Sequence, residues 1–231
     1  MNAITNQEHL AAIFVKENEK VNFIGSCFFF NYSEQVLVCT AEHVIRGWTG
    51  VFVVVAKSEE YLVEPVYSNQ DFDVAFLKPK KIPKNITLTF SSDRQVPGNL
   101  SLLAYEYSTT EFKDGIFHTV PATRLGNCVR VIKLTDVFGK AGQDMLELSF
   151  PALRGASGAA VVHIHNGKMI AHGMIVANTE RHLIPAHIET ILDQNNEILE
   201  EKKYFLPQAV AVNSIYIIHC FESYLKINKL T

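Results

Sequence analysis

Residues 21–57 read VNFIGSCFFF NYSEQVLVCT AEHVIRGWTG VFVVVAK. Three runs in this stretch, Val21–Phe30, Gln35–Thr40 and Val51–Lys57, are rich in β-branched and aromatic residues, and turn-forming residues separate them. The run Val51–Val55 is apolar at successive positions, which is typical of a strand that is covered on both faces. The stretch therefore predicts consecutive antiparallel strands of a barrel or a sandwich.

The same strand pattern continues on the C-terminal side. Further runs follow at spacings of roughly 10–15 residues, with no helical pattern between them. They are Tyr61–Tyr67, Val74–Lys78, Leu100–Tyr107, Ile116–Leu125, Val129–Leu134, Met145–Phe150, Ala159–His165 and Met169–Ala177. The segment Pro79–Pro97 is rich in Pro, Lys, Ser and Asn, holds only one short candidate strand, Ile86–Phe90, and is predicted to connect two units. A chain of 231 residues suits one large all-β unit or two small barrels.

A short helix is predicted at the N-terminus, within residues 1–20. Thr5 and Glu8 form a capping-box pattern ahead of an apolar run. The apolar residues of that run are Leu10, Ala11, Phe14 and Val15.

Two further helices are predicted in the C-terminal part of the chain. The segment at about 185–203 spaces its apolar residues near the helical period, with Glu and Gln between them. The last element, at about 213–226, has Asn213 or Ser214 as its cap and one apolar stripe. That stripe consists of Ile215, Ile218, Phe221 and Leu225.

Composition excludes several classes of protein. Hydrophobic residues make up 48% of the chain and charged residues 19%, so the chain can bury a core and is not disordered. A formal net charge of -3 argues against a nucleic-acid-binding protein. The sequence shows no secretory signal pattern and no apolar stretch long enough to cross a bilayer, so no membrane association is expected. Its four cysteines are widely spread without a C-x-x-C pair, which predicts free thiols and a cytoplasmic location.

Three short segments carry residues that suit nucleophilic acyl transfer. They are Thr40–Val44, with His43; Asp71–Leu77, with Asp73; and Arg154–Val161, with Ser157 between two glycines. A serine nucleophile needs a base to take its proton, an acceptor that orients the base, and backbone N–H groups that face the developing oxyanion. These segments contain all three kinds of group.

The three segments resemble the His, Asp and Ser motifs of trypsin-like serine peptidases, especially the bacterial HtrA-type protease domain without a PDZ domain. Other segments resemble that family as well, and the likeness spans about residues 22–225. They are Gly25–Phe28, Val96–Ala104, Gly167–Ile175 and Phe205–Pro207. The resemblance implies an all-β, chymotrypsin-like fold of two antiparallel six-stranded β-barrels, with residues 21–90 forming the first and residues 91–231 the second.

The resemblance also implies the catalytic roles. Ser157 is the nucleophile, His43 the general base and Asp73 the acid that orients His43. The backbone N–H groups of Gly155 and Ser157 form the oxyanion hole. Asp71 is the alternative orienting acid, but the position directly before Val74 and Ala75 favours Asp73, and Asp71 is expected to be a loop residue.

Some residues depart from the family pattern. Ala156 replaces the aspartate that pairs with a newly cut N-terminus in digestive members, so that activation route is not expected. Val44 replaces a disulfide cysteine. Val176 replaces a serine that bonds the catalytic aspartate, so Asp73 is expected to use backbone N–H groups near Glu42 and His43 instead.

The resemblance places the substrate pocket beside the nucleophile and predicts its specificity. The expected substrate-binding residues are Pro151, Ala152, Leu153, Ile175, Val176, Ala177 and Asn178. Ile175 stands where viral relatives carry a histidine that reads glutamine or glutamate, and the opposite wall carries no acid for Lys or Arg. The expected P1 residue is therefore small or medium and apolar, in a pocket that Tyr204 and Phe205 narrow.

These residues predict an intracellular serine endopeptidase that acts on protein or peptide substrates without a metal or an organic cofactor. His163, His165 and His172 lack the further ligands that a zinc site needs. The N-terminal helix and the 179–203 insertion are candidate contacts for a regulatory protein or a second copy of the chain. Two alternatives stay open: a catalytically silent, protease-fold binding module and an acyl esterase that uses the same triad.

Overall fold

A computed structural model describes most of the chain. The described residues are 9–18, 20–84, 87–93, 96–113, 116–134, 143–166, 168–182, 188–192, 198–203 and 205–229. Strands dominate this part, and two helices accompany them. Neither helix is long and apolar enough to cross a membrane.

The first unit is a closed six-stranded barrel. Its strands are β1 (Ala11–Glu17), β2 (Lys20–Tyr32), β3 (Gln35–Ala41), β4 (Val51–Ala56), β5 (Glu59–Asn69) and β6 (Val74–Pro79). They close in the order β1-β2-β3-β6-β5-β4 with antiparallel pairing. A single helical turn, α1 (Glu42–Ile45), follows β3.

The predicted N-terminal helix is wrong for the residues that the structure describes. Ala11–Glu17 is strand β1, which pairs with β2 on one side and β4 on the other. Residues 11–15 are all buried, because the strand is covered on both faces, and a helix would have buried only one stripe. The cap residues Thr5 and Glu8 lie outside the described residues.

The second unit is an eight-stranded sheet wrapped around its own core. Its strands are β7 (Thr89–Phe90), β8 (Leu100–Lys113), β9 (Ile116–Gly126), β10 (Cys128–Leu134), β11 (Gln143–Leu148), β12 (Ala160–His165), β13 (Lys168–His182) and β16 (Phe205–Asn213). The path runs β10-β11-β16-β13-β12-β8-β9, and β7 adds a parallel pair with β13.

The two ends of this path, β9 and β10, are joined in the chain by Asn127 alone. If β9 and β10 are counted as one bent strand, six antiparallel strands surround the second core. The predicted all-β fold of two barrels is confirmed. Residues 80–99, which include the short strand β7, lead from β6 to β8 and overlap the predicted connection Pro79–Pro97.

The predicted inserted helix is also wrong. Within the segment at about 185–203, the described residues form an antiparallel hairpin of β14 (Ile188–Leu192) and β15 (Ile198–Lys203). The ladder between β13 and β16 continues as far as the pair His182 and Phe205, so the chain enters and leaves the insertion as adjacent strands. Tertiary pairing therefore overrides the helical spacing of the apolar residues.

The predicted C-terminal helix is confirmed as α2 (Ser214–Lys229). Asn213 caps it, since its Oδ1 accepts the backbone N–H of Ile215 at 3.0 Å. The Ser214 hydroxyl donates instead to the carbonyl of Ser91 at 2.7 Å, which ties the start of the helix to the connection between the barrels.

One apolar cluster spans both barrels and α2. Phe221 of α2 is 1% exposed, and its ring lies 5.6 Å from Phe30 and 5.9 Å from Phe76 of the first barrel. Met174 and Val212 of the second barrel belong to the same cluster. The barrels are therefore packed against each other through a continuous core, and the ends of β3, β6 and β13 meet at their junction.

Candidate active site

His43 lies in α1, immediately after strand β3 reaches the junction. The Glu42 N–H before it donates to the Asp73 carbonyl at 3.1 Å, which holds the start of α1 against the turn before β6. The His43 side chain is 37% exposed. One edge of the imidazole is therefore accessible from the crevice while the other edge faces protein.

Asp73 is the buried partner of His43. Its Oδ1 accepts the backbone N–H of His43 at 2.9 Å, and its Oδ2 lies 2.7 Å from the ring Nδ1. Because an ionised carboxylate only accepts, Nδ1 carries the proton of the neutral imidazole and Nε2 is free to act as a base. Asp73 has a φ of 53°, a left-handed conformation that Asp tolerates better than most residues. Asp71 is exposed in the preceding turn.

Asp73 accepts a second hydrogen bond, which takes the place of the serine hydroxyl bond that Val176 cannot make. The His43 backbone N–H supplies it, so the expectation of backbone donors near Glu42 and His43 is confirmed. Val176 is 5% exposed and belongs to the apolar cluster between the barrels. It packs there.

Ser157 lies in a tight loop between two glycines with positive φ, Gly155 at 100° and Gly158 at 85°. Such angles favour glycine. Within the described residues, the backbone N–H groups of Gly155 and Ser157 donate to no protein acceptor, whereas those of Ala156 and Gly158 bond Leu153 and Ile175. Two donors are thus left for a ligand beside the Ser157 hydroxyl.

Strand β2 supports this loop. The Ser26 hydroxyl donates to the Gly155 carbonyl at 2.9 Å, and the Ser26 N–H donates to the Ser157 carbonyl at 3.0 Å. A Cβ added to Gly158 would overlap the Ser26 carbonyl oxygen and Thr40 Oγ1. The loop can approach the first barrel only with glycine at this position.

Ser157 separates two open cavities. A cavity of about 290 Å³ lies on the side of the first barrel; it is lined by Ile24, His43, Val44, Trp48, Arg154, Gly155 and Ser157. A cavity of about 240 Å³ lies on the side of the second barrel; it is lined by Ala152, Leu153, Arg154, Ser157, Ile175, Ala177 and Asn178. A polypeptide crossing Ser157 would reach both cavities.

The second cavity contains most of the predicted pocket. Ala152, Leu153, Ile175, Ala177 and Asn178 line it together, whereas Pro151 and Val176 are outside the lining. Val176 packs in the shared core, at a point where the register between β13 and β16 shifts between Ile175 and Ala177. The predicted narrowing by Tyr204 and Phe205 concerns side chains outside the part that the structure describes.

Some residues near the site were not predicted from the sequence. Trp48 and Ile24 line a cavity, although they belong to no motif in the sequence, and Arg154 lines both cavities, although it was quoted only as the start of the Ser157 segment. Glu42 is buried and forms an ion pair with Arg46 one helical turn later; the i, i+4 spacing was the available signal. Ser26 was quoted only as part of a family-like segment, and its bond to Gly155 depends on tertiary structure.

Other nucleophiles and ligand clusters do not compete with Ser157 in the described chain. Burial raises the pKa of the Cys27 and Cys39 thiols well above the ordinary value and that of Cys220 to about 12, which leaves them as thiols. No group of three His, Cys, Asp or Glu side chains among the described residues could hold a metal ion.

Comparisons with solved structures report the same fold. The HtrA-type protease AlgW with a decapeptide matches with a TM-score of 0.65 at 12% identity, covering 95% of this chain and 65% of that chain. The active form of the Rv3671c protease from M. tuberculosis matches with a TM-score of 0.57 at 18% identity, covering 90% and 77%. The serine endoprotease from Yersinia pestis matches with a TM-score of 0.61 at 13% identity, covering 98% and 68%. The chain thus spans just under two thirds of the AlgW chain.

Sequence comparison identifies the family. No curated protein matches the chain significantly over its sequence. A family model described as a trypsin-like peptidase domain matches residues 25–171, which is more than half of the 231 residues and includes His43, Asp73 and Ser157. The chain therefore belongs to the trypsin-like peptidase family and carries a serine endopeptidase domain.

Proposed function

We propose that this chain hydrolyses peptide bonds through an acyl-enzyme formed on Ser157, with His43 as general base and Asp73 as the acid that orients it. The observation that carries the proposal is the double contact of Asp73 with the backbone and ring of His43, in a cavity that His43 shares with Ser157. A buried carboxylate at 2.7 Å from Nδ1 stabilises the imidazolium that forms when His43 takes a proton.

The steps follow from this geometry. His43 Nε2 takes the Ser157 proton as Oγ attacks the carbonyl carbon, and the N–H groups of Gly155 and Ser157 stabilise the oxyanion. His43 then returns the proton to the leaving amine as the C–N bond breaks. Water attacks the acyl-enzyme in the same way, with His43 again taking and returning one proton.

One contact is expected to shorten on substrate binding. The contacts between described residues include no hydrogen bond from the Ser157 hydroxyl to His43. In a substrate-free site this bond is often long and tightens only in the complex. The free enzyme therefore provides the positions of both groups without the final contact.

Fluorophosphonate labelling tests the proposal. We expect the purified protein to be labelled, Ser157→Ala to lose the label, and Ser223→Ala, a serine on α2, to keep it. Asp73→Asn should label about 10⁴ times more slowly, because its amide oxygen would accept the His43 backbone N–H and leave the NH2 group donating to Nδ1, which favours the wrong tautomer. An unlabelled wild-type protein, including in lysate of its native host, would favour the silent binding module.

Cleavage of esters without peptides would favour the esterase alternative. The comparison is between a small ester and a peptide that carries the same acyl group. A peptidase should hydrolyse both through Ser157, whereas an esterase should hydrolyse only the ester.

The proposed P1 preference is for small or medium apolar residues. The described lining of the second cavity includes Ala152, Ile175 and Ala177, and its one charged member, Arg154, is exposed beside Ser157. A peptide library should therefore yield Ala, Val or Leu at P1. Selection of Arg, Lys or Glu would contradict this preference.

The proposed setting is the cytoplasm, with control by a partner. All four cysteines are free thiols, which supports a reducing compartment, and cell fractionation tests the location. The insertion 179–203 follows Asn178 of the pocket directly, so a regulator or a second copy bound there would act on the substrate strand. Residues 11–17 are not proposed as a contact for a regulator or a second copy, because β1 is a strand of the first barrel.

A further inference from the structure

Asn178 joins the two walls of the cavity on the second-barrel side. Its Oδ1 accepts the backbone N–H of Ala152 at 3.0 Å, and its Nδ2 donates to the Ala152 carbonyl at 2.6 Å. Ala152 belongs to the segment before the nucleophile loop, whereas Asn178 belongs to β13, 26 residues later. The amide group therefore extends from the substrate strand across to the facing wall.

The two hydrogen bonds with Asn178 satisfy the buried backbone N–H and carbonyl groups of Ala152. Ala152 lies outside every described strand and is 6% exposed, so its N–H and carbonyl require partners away from water. One amide side chain supplies a donor and an acceptor in the right order. Both hydrogen bonds hold the Asn178 side chain in one position, so it is a fixed part of the pocket.

Two apolar residues line the same cavity beside this bridge. Ile175 is 1% exposed and packs in the second barrel core together with Ala152. Ala177 contributes only a methyl group to the lining. A P1 side chain that enters beside Ser157 thus meets Ile175, the Ala177 methyl group and the Asn178 amide.

We propose that Asn178, held by its two bonds to Ala152, limits the P1 side chain to the size of alanine or valine. The proposal rests on the peptidase function proposed above and narrows its substrate class, since it excludes leucine and aromatic residues. Removal of the amide group beyond Cβ takes away three heavy atoms. That is the difference in size between the side chains of alanine and leucine.

Peptidyl diphenyl phosphonate probes test the inference without a known substrate. Four probes differ only in the side chain at P1, which is that of Ala, Val, Leu or Phe, and the second-order rate of Ser157 modification is measured for each. We expect wild-type protein to react fastest with Ala and Val. Asn178→Ala should raise the Leu-to-Ala rate ratio at least about 10-fold, the effect of added apolar volume in a pocket.

A matched variant separates size from general loosening. Asn178→Leu has the same number of side-chain heavy atoms as asparagine but forms neither hydrogen bond, so it should keep the preference for small P1 residues. Asn178→Ser, which loses two heavy atoms, should broaden the profile to a smaller extent and replaces the alanine variant if that variant does not fold.

The outcomes distinguish this inference from the function on which it rests. A wild-type protein that no probe and no fluorophosphonate modifies overturns the peptidase function and this inference with it. A reactive Ser157 with an unchanged Leu-to-Ala ratio in Asn178→Ala overturns the inference alone. Equal broadening in Asn178→Leu and Asn178→Ala also overturns it, because the amide would then act by tethering the walls and not by its size.

Discussion

The Ser26 side chain shows how one buried hydroxyl can set the geometry of a nucleophile loop. It is 0% exposed, accepts the Tyr105 N–H at 2.9 Å and donates to the Gly155 carbonyl at 2.9 Å. Fixing that carbonyl fixes the orientation of the peptide that follows Gly155. The adjacent N–H groups are the proposed oxyanion donors, so Ser26 acts on them through the backbone.

Ser26→Ala should therefore reduce kcat about 10-fold with little change in KM. This is less than the 10²–10³-fold loss that follows removal of an oxyanion donor itself, because the donors remain and are only less well positioned. Ser101→Ala, which removes another buried hydroxyl, is the control and should leave kcat unchanged. An increase in KM without a loss of kcat in Ser26→Ala would contradict the positioning role.

The buried side chain of His172 makes the free energy of unfolding depend on pH. Its pKa is lowered, first by burial and then by the nearby His163, while Asp93 opposes the shift. The unfolded chain therefore binds more protons at this residue than the folded chain as pH falls below the ordinary value of about 6.5. The free energy of unfolding should fall as pH decreases from about 6.5 until the folded form is protonated as well.

His172→Gln should flatten this acid-side loss of stability. The measurement is the urea midpoint between pH 7 and pH 5 for wild type and variant. His118→Gln, at an exposed histidine, should follow the wild-type curve. An acid limb of the same slope in His172→Gln would show that other groups cause it.

At the scale of secondary structure, a bidentate ion pair fixes strand β8 to strand β9. Arg124 Nη2 lies 2.8 Å from Glu106 Oε1 and 3.0 Å from Oε2, and the Glu106 side chain is only 3% exposed. Removing a cation from such a carboxylate costs about 3–5 kcal/mol when the pair is fully buried. The Arg124 side chain is 27% exposed, so the low end applies.

Arg124→Met should lower the free energy of unfolding by about 3 kcal/mol, measured by urea titration at neutral pH. Replacing both partners, as Arg124→Met with Glu106→Leu, should recover most of that loss, because no desolvated charge remains. A double variant no more stable than Arg124→Met alone would contradict the electrostatic explanation.

The strands of this fold could be predicted from the sequence more reliably than its helices. Nearly every strand of both barrels was predicted, since β-branched and aromatic runs between turn residues depend on local pattern. The helices predicted within residues 1–20 and at about 185–203 were wrong, because β1 pairs with β2 and β4 and β14 pairs with β15 in a hairpin. The amide bridge of Asn178 was not predicted either, since nothing in the sequence brings it near Ala152.

At the scale of the whole molecule, the proposed site exists only where the two barrels meet. His43 and Asp73 come from the first barrel and Ser157 from the second, so their relative position depends on the core between the barrels. α2 follows β16 of the second barrel in the chain, yet its Phe221 packs edge-on against Phe30 of the first barrel. This helix thus fixes one barrel to the other.

Phe221→Ala should therefore affect both stability and the reactivity of Ser157. Loss of a fully buried phenylalanine costs about 3–5 kcal/mol, to be measured by urea unfolding. Because His43 and Ser157 come from different barrels, we also expect fluorophosphonate labelling of the folded variant to slow several-fold. Ile227→Ala, at a residue of α2 that is 57% exposed, should change neither quantity. If Phe221→Ala loses stability while Ser157 reacts at the wild-type rate, α2 stabilises the barrels without setting their alignment, and the contacts of Ser26 with the nucleophile loop must hold the two halves of the site together.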